Sequence, residues 1–121
     1  MIKTSYKTLK IWEKGMNLVK KIYQLTEQFP SKEIYGLTSQ MRRSSVSIPS
    51  NIAEGSQRVS DKEFANFILI SKGSLAELET QTIIANELSY ITKEDADLLI
   101  GEMSDLQKML FSFHNRLKAK S

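Results

Sequence analysis

The sequence predicts an all-α protein, an antiparallel up-down-up-down four-helix bundle, and three observations predict it. Apolar residues recur at steps of three and four through four long segments, and no segment alternates with the period of a strand. Short connectors of about two to five residues separate the segments, which sets neighbouring helices antiparallel. Five Gly, two Pro, 40% apolar and 26% charged residues in a chain of 121 fit one helical globular domain, spanning residues 1–121.

Helix one is predicted over about 8–29, with a seam of Leu9, Trp12, Met16, Val19, Ile22 and Phe29; Trp12 and the Met residues read as ordinary core. Pro30 stops it, because the residue before a proline is pushed out of helical geometry. Ser31 is the expected cap of helix two, about 32–55, which Gly55 would end as a left-handed residue. Ser60 and Glu63 form a capping box opening helix three, about 61–90, with its seam through Phe64, Phe67, Ile68, Ser71, Leu75, Leu78, Thr82, Ala85 and Leu88. At roughly thirty residues it would be about 45 Å long, more than a compact monomer of this size needs. Thr92 and Asp95 open helix four, about 93–118, on Ala96, Leu99, Met103, Leu106, Leu110, Phe113 and Leu117.

Helix two carries the most specific signal. Beside its seam of Ile34, Leu37, Met41, Ser45, Ile48 and Ile52 runs a polar stripe of Gln40, Ser44, Ser47, Asn51 and Glu54. A helix that had only to be soluble would carry Lys and Glu there, so the stripe is specified for contacts. Pro49 lies inside the helix, at a cost of about 3 kcal/mol, and leaves the Ser45 carbonyl without its usual donor. Hydroxyls at Ser45 and Ser47 are placed to help. Either the chain breaks into two helices there, or it continues as a kinked helix; the second is preferred. On the other flank Arg42, Val46, Pro49 and Ala53 suggest a second buried contact, an expected subunit interface. Ser71, Gly73, Ser74 and Ala76 on helix three are small enough for another helix to approach closely. Glu77 or Glu79 is expected to pair with Arg42 or Arg43, against the alternative of solvated surface charges.

The string SIPSNIAEG (residues 47–55), preceded by GLTSQMRR and followed by a helix containing GSLAELET, resembles the four-helix-bundle proteins of the 23S rRNA intervening-sequence family. Trp12, Tyr23 and the Phe29-Pro30 stop add weaker matches, and the resemblance spans roughly residues 9–91. Relatives occur as reading frames inside extra segments of bacterial 23S rRNA genes. A distant cousin is the accessory variability protein of diversity-generating retroelements, which works beside a reverse transcriptase. The resemblance implies a subunit of a homopentamer, without known catalysis, with nucleic-acid contact as an expectation. It gives the Arg42–Gly55 motif, including Arg43, Ser47, Asn51 and Glu54, the standing of an interface or structural motif. Ser44 and Ser45 depart from it, standing where relatives commonly have alanines.

Charge supplies the remaining expectation. Net charge is +3, but residues 1–29 carry six Lys against Glu13 and Glu27, residues 60–91 are at −3, and residues 92–121 balance at five against five. Lys3, Lys7, Lys10, Lys14, Asn17, Lys21, Gln24 and Gln28 form one stripe on helix one; Lys7 to Lys21 would span about 21 Å, enough to follow several phosphates. A basic face is also what a merely solvated helix shows, and no aromatic lies in the stripe to stack a base. Repetition in a ring would turn a weak patch into a binding surface of low sequence specificity and high salt sensitivity.

No cysteine, no metal-binding spacing and no phosphate loop is present, and His114 is the one histidine. A hydrolase built on Glu54 and Asn51 would lack an activated partner. No cofactor is expected. The N-terminus lacks a signal-peptide core and the longest apolar run is Phe67–Ile70, so a cytoplasmic location without membrane contact is expected. The reading is a non-catalytic, self-associating bundle that holds structured RNA or an RNA-bound protein; the alternative is a protein-interaction module with no nucleic-acid role.

Overall fold

The computed structural model describes residues 5–120 and contains four long helices: α1 (Lys10–Thr26), α2 (Leu37–Ser56), α3 (Asp61–Glu87) and α4 (Lys93–Lys120). Contacts pair rising residue numbers with falling ones. Gly15 meets Pro49 and Thr26 meets Arg42 across α1 and α2. Ser44 meets Glu77 and Gly55 meets Phe67 across α2 and α3, and Phe64 meets Phe113 while Lys72 meets Gln107 across α3 and α4. Each helix therefore runs against the next, and α1 and α3 occupy opposite corners.

The core seams of α2, α3 and α4 follow their predicted phase. Met41, Ser45, Ile48 and Ile52 are sealed from solvent, as are Ile68, Ser71, Leu75, Leu78, Thr82 and Ala85, and Met103, Leu106 and Leu110. Ile34 and Leu88, at the predicted seam ends, are exposed, and both lie outside their helices. Helix α1 is rotated by one position from the expected seam. Its buried residues are Ile11, Gly15, Leu18, Ile22 and Thr26, while Trp12, Met16 and Val19 sit half-buried at the edge toward α2.

Helix ends correct four expectations. Helix α1 stops at Thr26, and 3-10-type bonds from Gln28 and Phe29 lead to Pro30 while Phe29 packs its ring on Tyr90, centroids 5.3 Å apart. Ser31 begins a short 3-10 turn instead of capping α2. Glu33 caps α2: its Oε1 accepts from the Leu37 N–H at 3.0 Å and its Oε2 from the Tyr90 hydroxyl at 2.8 Å. Those two donors hold the Glu33 carboxyl below its ordinary range, the Leu37 amide contributing most, and the same bond pushes the Tyr90 phenol up. Gly55 is not a left-handed terminator, since no glycine has a positive φ among the described residues. It lies inside α2 where α3 crosses it, and a Cβ there would stand 2.6 Å from the Phe67 Cβ.

Ser60 accepts from the Glu63 N–H, and Thr92 from the Asp95 N–H, both at 3.1 Å, as the sequence signals imply. Helix α3 ends earlier than expected, at Glu87. Ser89, in the left-handed region at φ 63°, lets Tyr90 N–H reach the Ala85 carbonyl and Ser89 N–H the Asn86 carbonyl, which closes the last turn. No helix among the described residues is long and apolar enough to cross a membrane.

Candidate functional site

Helix α2 runs unbroken through Pro49, which is buried against α1 where Gly15 leaves room for it: a Cβ on Gly15 would lie 3.4 Å from the proline ring. The Ser45 hydroxyl donates to the Arg42 carbonyl and the Ser47 hydroxyl pairs with Ser74, so neither turns to the Ser45 carbonyl. The polar stripe faces its own bundle. Ser44 donates to Glu77 at 3.4 Å, Ser47 meets Ser74 at 2.8 Å, and Asn51 folds back onto the Ser47 carbonyl and hydroxyl. Ser44, Ser47, Ser74 and Glu77, with Gln40, Arg43 and Gln81, line a polar groove of about 480 Å³ between α2 and α3. Glu54 is outside it, in an exposed 2.8 Å ion pair with Arg58.

The expected Arg–Glu pair is absent among the described residues. Arg42 turns to α1 instead, donating to the Thr26 hydroxyl at 2.9 Å and lying 4.7 Å over the Tyr23 ring. Arg43 and Glu77 line the same groove but form no ion pair. Val46 and Ala53 on the predicted interface flank do remain accessible. Together with Tyr6, Trp12, Met16 and Val19 they make an apolar groove of about 300 Å³ between α1 and α2.

Helix α3 bears a face that its seam conceals. Leu69, Ile70, Ile83 and Ile84 are each 40–49% exposed, with Gly73, Ala76 and Thr80 between them on the outward side and Glu77 as their one charge. A Cβ on Gly73 would meet nothing within 4 Å, so packing inside the subunit does not account for this glycine. Leu69 to Ile84 covers about 22 Å of helix.

The lysine stripe of α1 faces α4, along a seam opened by three clefts. Lys3 lies outside the described residues, and Lys7 sits in a short 3-10 turn before α1. Lys14 and Lys21 share their cleft with Glu102 and Asp105, and Lys21 forms an ion pair with Glu102. The next cleft, at Lys21, Gln24 and Gln28, contains Asp95 and Glu102. Among the described lysines of the stripe, Lys10 alone opens on cations: Lys108 and Arg116 of α4, around a cleft of about 490 Å³. The balanced charge of the C-terminal segment hides this division. Residues 93–105 hold Lys93 against five acids, whereas residues 106–120 hold Lys108, Arg116, Lys118 and Lys120 and no acid.

These features define a class: a helical bundle whose distinctive groups are gathered into surface grooves and faces. The chain belongs to the 23S rRNA-intervening sequence protein family, whose model matches residues 7–112. It is similar in fold to a crystal structure of a protein of unknown function from the S23 ribosomal protein family of Bacteroides thetaiotaomicron. That similarity has a TM-score of 0.80 at 24% identity and covers 86% of this chain and 97% of the other. No curated protein matches the chain.

Proposed function

We propose that this protein is a non-catalytic bundle that assembles with copies of itself, as a ring of five by family resemblance, and holds RNA or an RNA-bound protein against a basic surface in the cytoplasm. The observation that carries the assembly is the outward face of α3. A solvated glycine in a helix interior costs about 1 kcal/mol against alanine, and an apolar helix face normally finds a cover. A ring needs two different complementary surfaces on each subunit. The α3 ridge of Leu69, Ile70, Ile83 and Ile84 and the α1–α2 groove of Trp12, Met16, Val46 and Ala53 offer a convex and a concave apolar surface. Light scattering tests this: five copies of 13.8 kDa give 69 kDa. Ile84→Glu, which places a charge on the ridge without touching the core, should release subunits. A wild-type mass of 13.8 kDa would refute the assembly.

The RNA role is supported by the acid-free end of α4 beside Lys10. Retardation of structured RNA should be present at low salt and weaken steeply as salt rises; no retardation at low salt refutes it. The second reading, a module that binds only protein, is favoured by the apolar α1–α2 groove and would leave that groove as the sole contact.

A further inference from the structure

We infer that the cleft between the start of α1 and the end of α4 binds one nucleotide unit of unpaired RNA, its phosphate held by Lys10, Lys108 and Arg116 and its base laid on Leu9, Met109 and Phe113. This rests on the RNA-binding reading above and names the form of RNA and the place. Three features of the cleft support it. Its lining includes three cations and no carboxylate, unlike the two other clefts of the same seam. None of the three cations forms an ion pair among the described residues, so their charge is available to an outside anion. The cleft is also mostly apolar, which phosphate alone would leave uncovered, and it contains an aromatic ring. Phe113 is half-buried, fixed edge-on by Phe64 at 5.3 Å, with the Arg116 guanidinium 5.5 Å from its ring.

The Arg116 guanidinium lies over the Phe113 ring, and a flat π system, which every base provides, can stack against that pair beside the apolar Leu9 and Met109. Thr8 and Ser112 add hydroxyls at the lining. A base still paired in a duplex keeps its faces stacked on its neighbours, so an unpaired one is the better fit. At about 490 Å³ the cleft holds a single nucleotide unit and not a helix.

The test uses a uridine strand of about 12 nucleotides and an RNA duplex of similar length, with affinities measured by fluorescence anisotropy at about 50 and about 200 mM salt. The wild type should prefer the single strand. Lys108→Glu and Arg116→Glu should each weaken it about tenfold or more and flatten the salt dependence, whereas Lys93→Glu, at the far end of α4, should not. Ser112→Trp keeps the charge and fills the cleft; it should remove the preference for the single strand. Ser112 is exposed, so the fold should persist, which the helical circular dichroism checks. Wild-type binding that these variants leave unchanged overturns this site and leaves the RNA-binding reading standing. Equal binding of duplex and strand overturns the base contact. No binding of either RNA at low salt overturns both readings.

Discussion

Gly55→Ala should destabilise the protein by about 2 kcal/mol, although it replaces a poor helix former with the best one. The added Cβ would stand 2.6 Å from the Phe67 Cβ and 2.9 Å from the Phe64 Cδ1, both on α3. The Phe67 Cβ is fixed to its backbone and cannot swing away. To restore an ordinary 3.4 Å contact the two helices must part by about 0.8 Å (3.4 less 2.6), in a core that tolerates little displacement. Overpacking of this kind costs about 1–3 kcal/mol, and a backbone-anchored clash belongs at the top of that range. The better helix propensity of alanine returns about 1 kcal/mol, leaving a loss of about 2 kcal/mol, or about 8 °C in Tm for a domain of this size. Urea unfolding followed by the helical circular dichroism signal measures it. Gly73→Ala is the internal control: with nothing within 4 Å, it should make a dilute, dissociated subunit about 1 kcal/mol more stable. If Gly55→Ala is as stable as the wild type, the crossing has slack and the account of this glycine is wrong.

Further outcomes follow from other contacts. Because the Glu33 carboxyl titrates below its ordinary range, its stabilisation is present above the usual carboxylate pKa and is lost as pH falls through the lowered folded value. Glu33→Ala should lower Tm at neutral pH and flatten the acid limb of a Tm-against-pH curve; an unchanged acid limb would refute the cap. Tyr90, with its phenol pushed up, keeps its contribution below the ordinary phenol pKa and loses it as pH rises through the raised value, so Tyr90→Phe should flatten the alkaline limb. Gln81 is 8% exposed and its Oε1 has no partner among the described residues, so Gln81→Met should be neutral or stabilise by up to about 1 kcal/mol in chemical unfolding. A loss above that figure would mean that the amide is bound. Arg42→Met should cost about 1–2 kcal/mol, since it removes the bond to the Thr26 hydroxyl and the stack on Tyr23; no change in stability would make the arginine a solvated charge.

Much of this architecture is legible in the chain. The predicted apolar seams give the phase of α2, α3 and α4, and Ser60 and Thr92 mark the starts of α3 and α4 through local bonds that need no tertiary partner. Helix α1 is different. Ile11, Leu18 and Ile22 form one stripe, and Trp12, Met16 and Val19 form another beside it, both at helical spacing. The choice between them is made by which stripe α2 and α4 cover. Gly55 carries the same local signature as a helix terminator and as a crossing point, and only the approach of Phe67 distinguishes the two. Arg42 leaves α3 for Tyr23, nineteen positions back on α1, a partner that no spacing rule connects to it.

The candidate surfaces were legible in part. Val46 and Ala53 do open onto an apolar groove, and Lys10 does lie at a basic cleft. The stripe from Lys14 to Lys21 is offset by Glu102 and Asp105, acids more than eighty positions away from Lys21 and Lys14 respectively. The exposed ridge of α3 was hidden because its isoleucines sit beside a core seam that already explained the helix. A net count over residues 92–121 cancels the two halves of α4, whereas a running count along the helix reveals them.

That division of α4 gives the molecule a large electric moment along its length. A protein carrying +3 overall is ordinarily handled as almost neutral, yet the opposite termini of this rod answer to opposite media. One tip is drawn to a sulfonate resin and the other to a quaternary amine, so retention on either column reports orientation before it reports total charge. Subunits packed side by side with their axes aligned would add their moments, giving a disc with one electropositive rim and one electronegative rim.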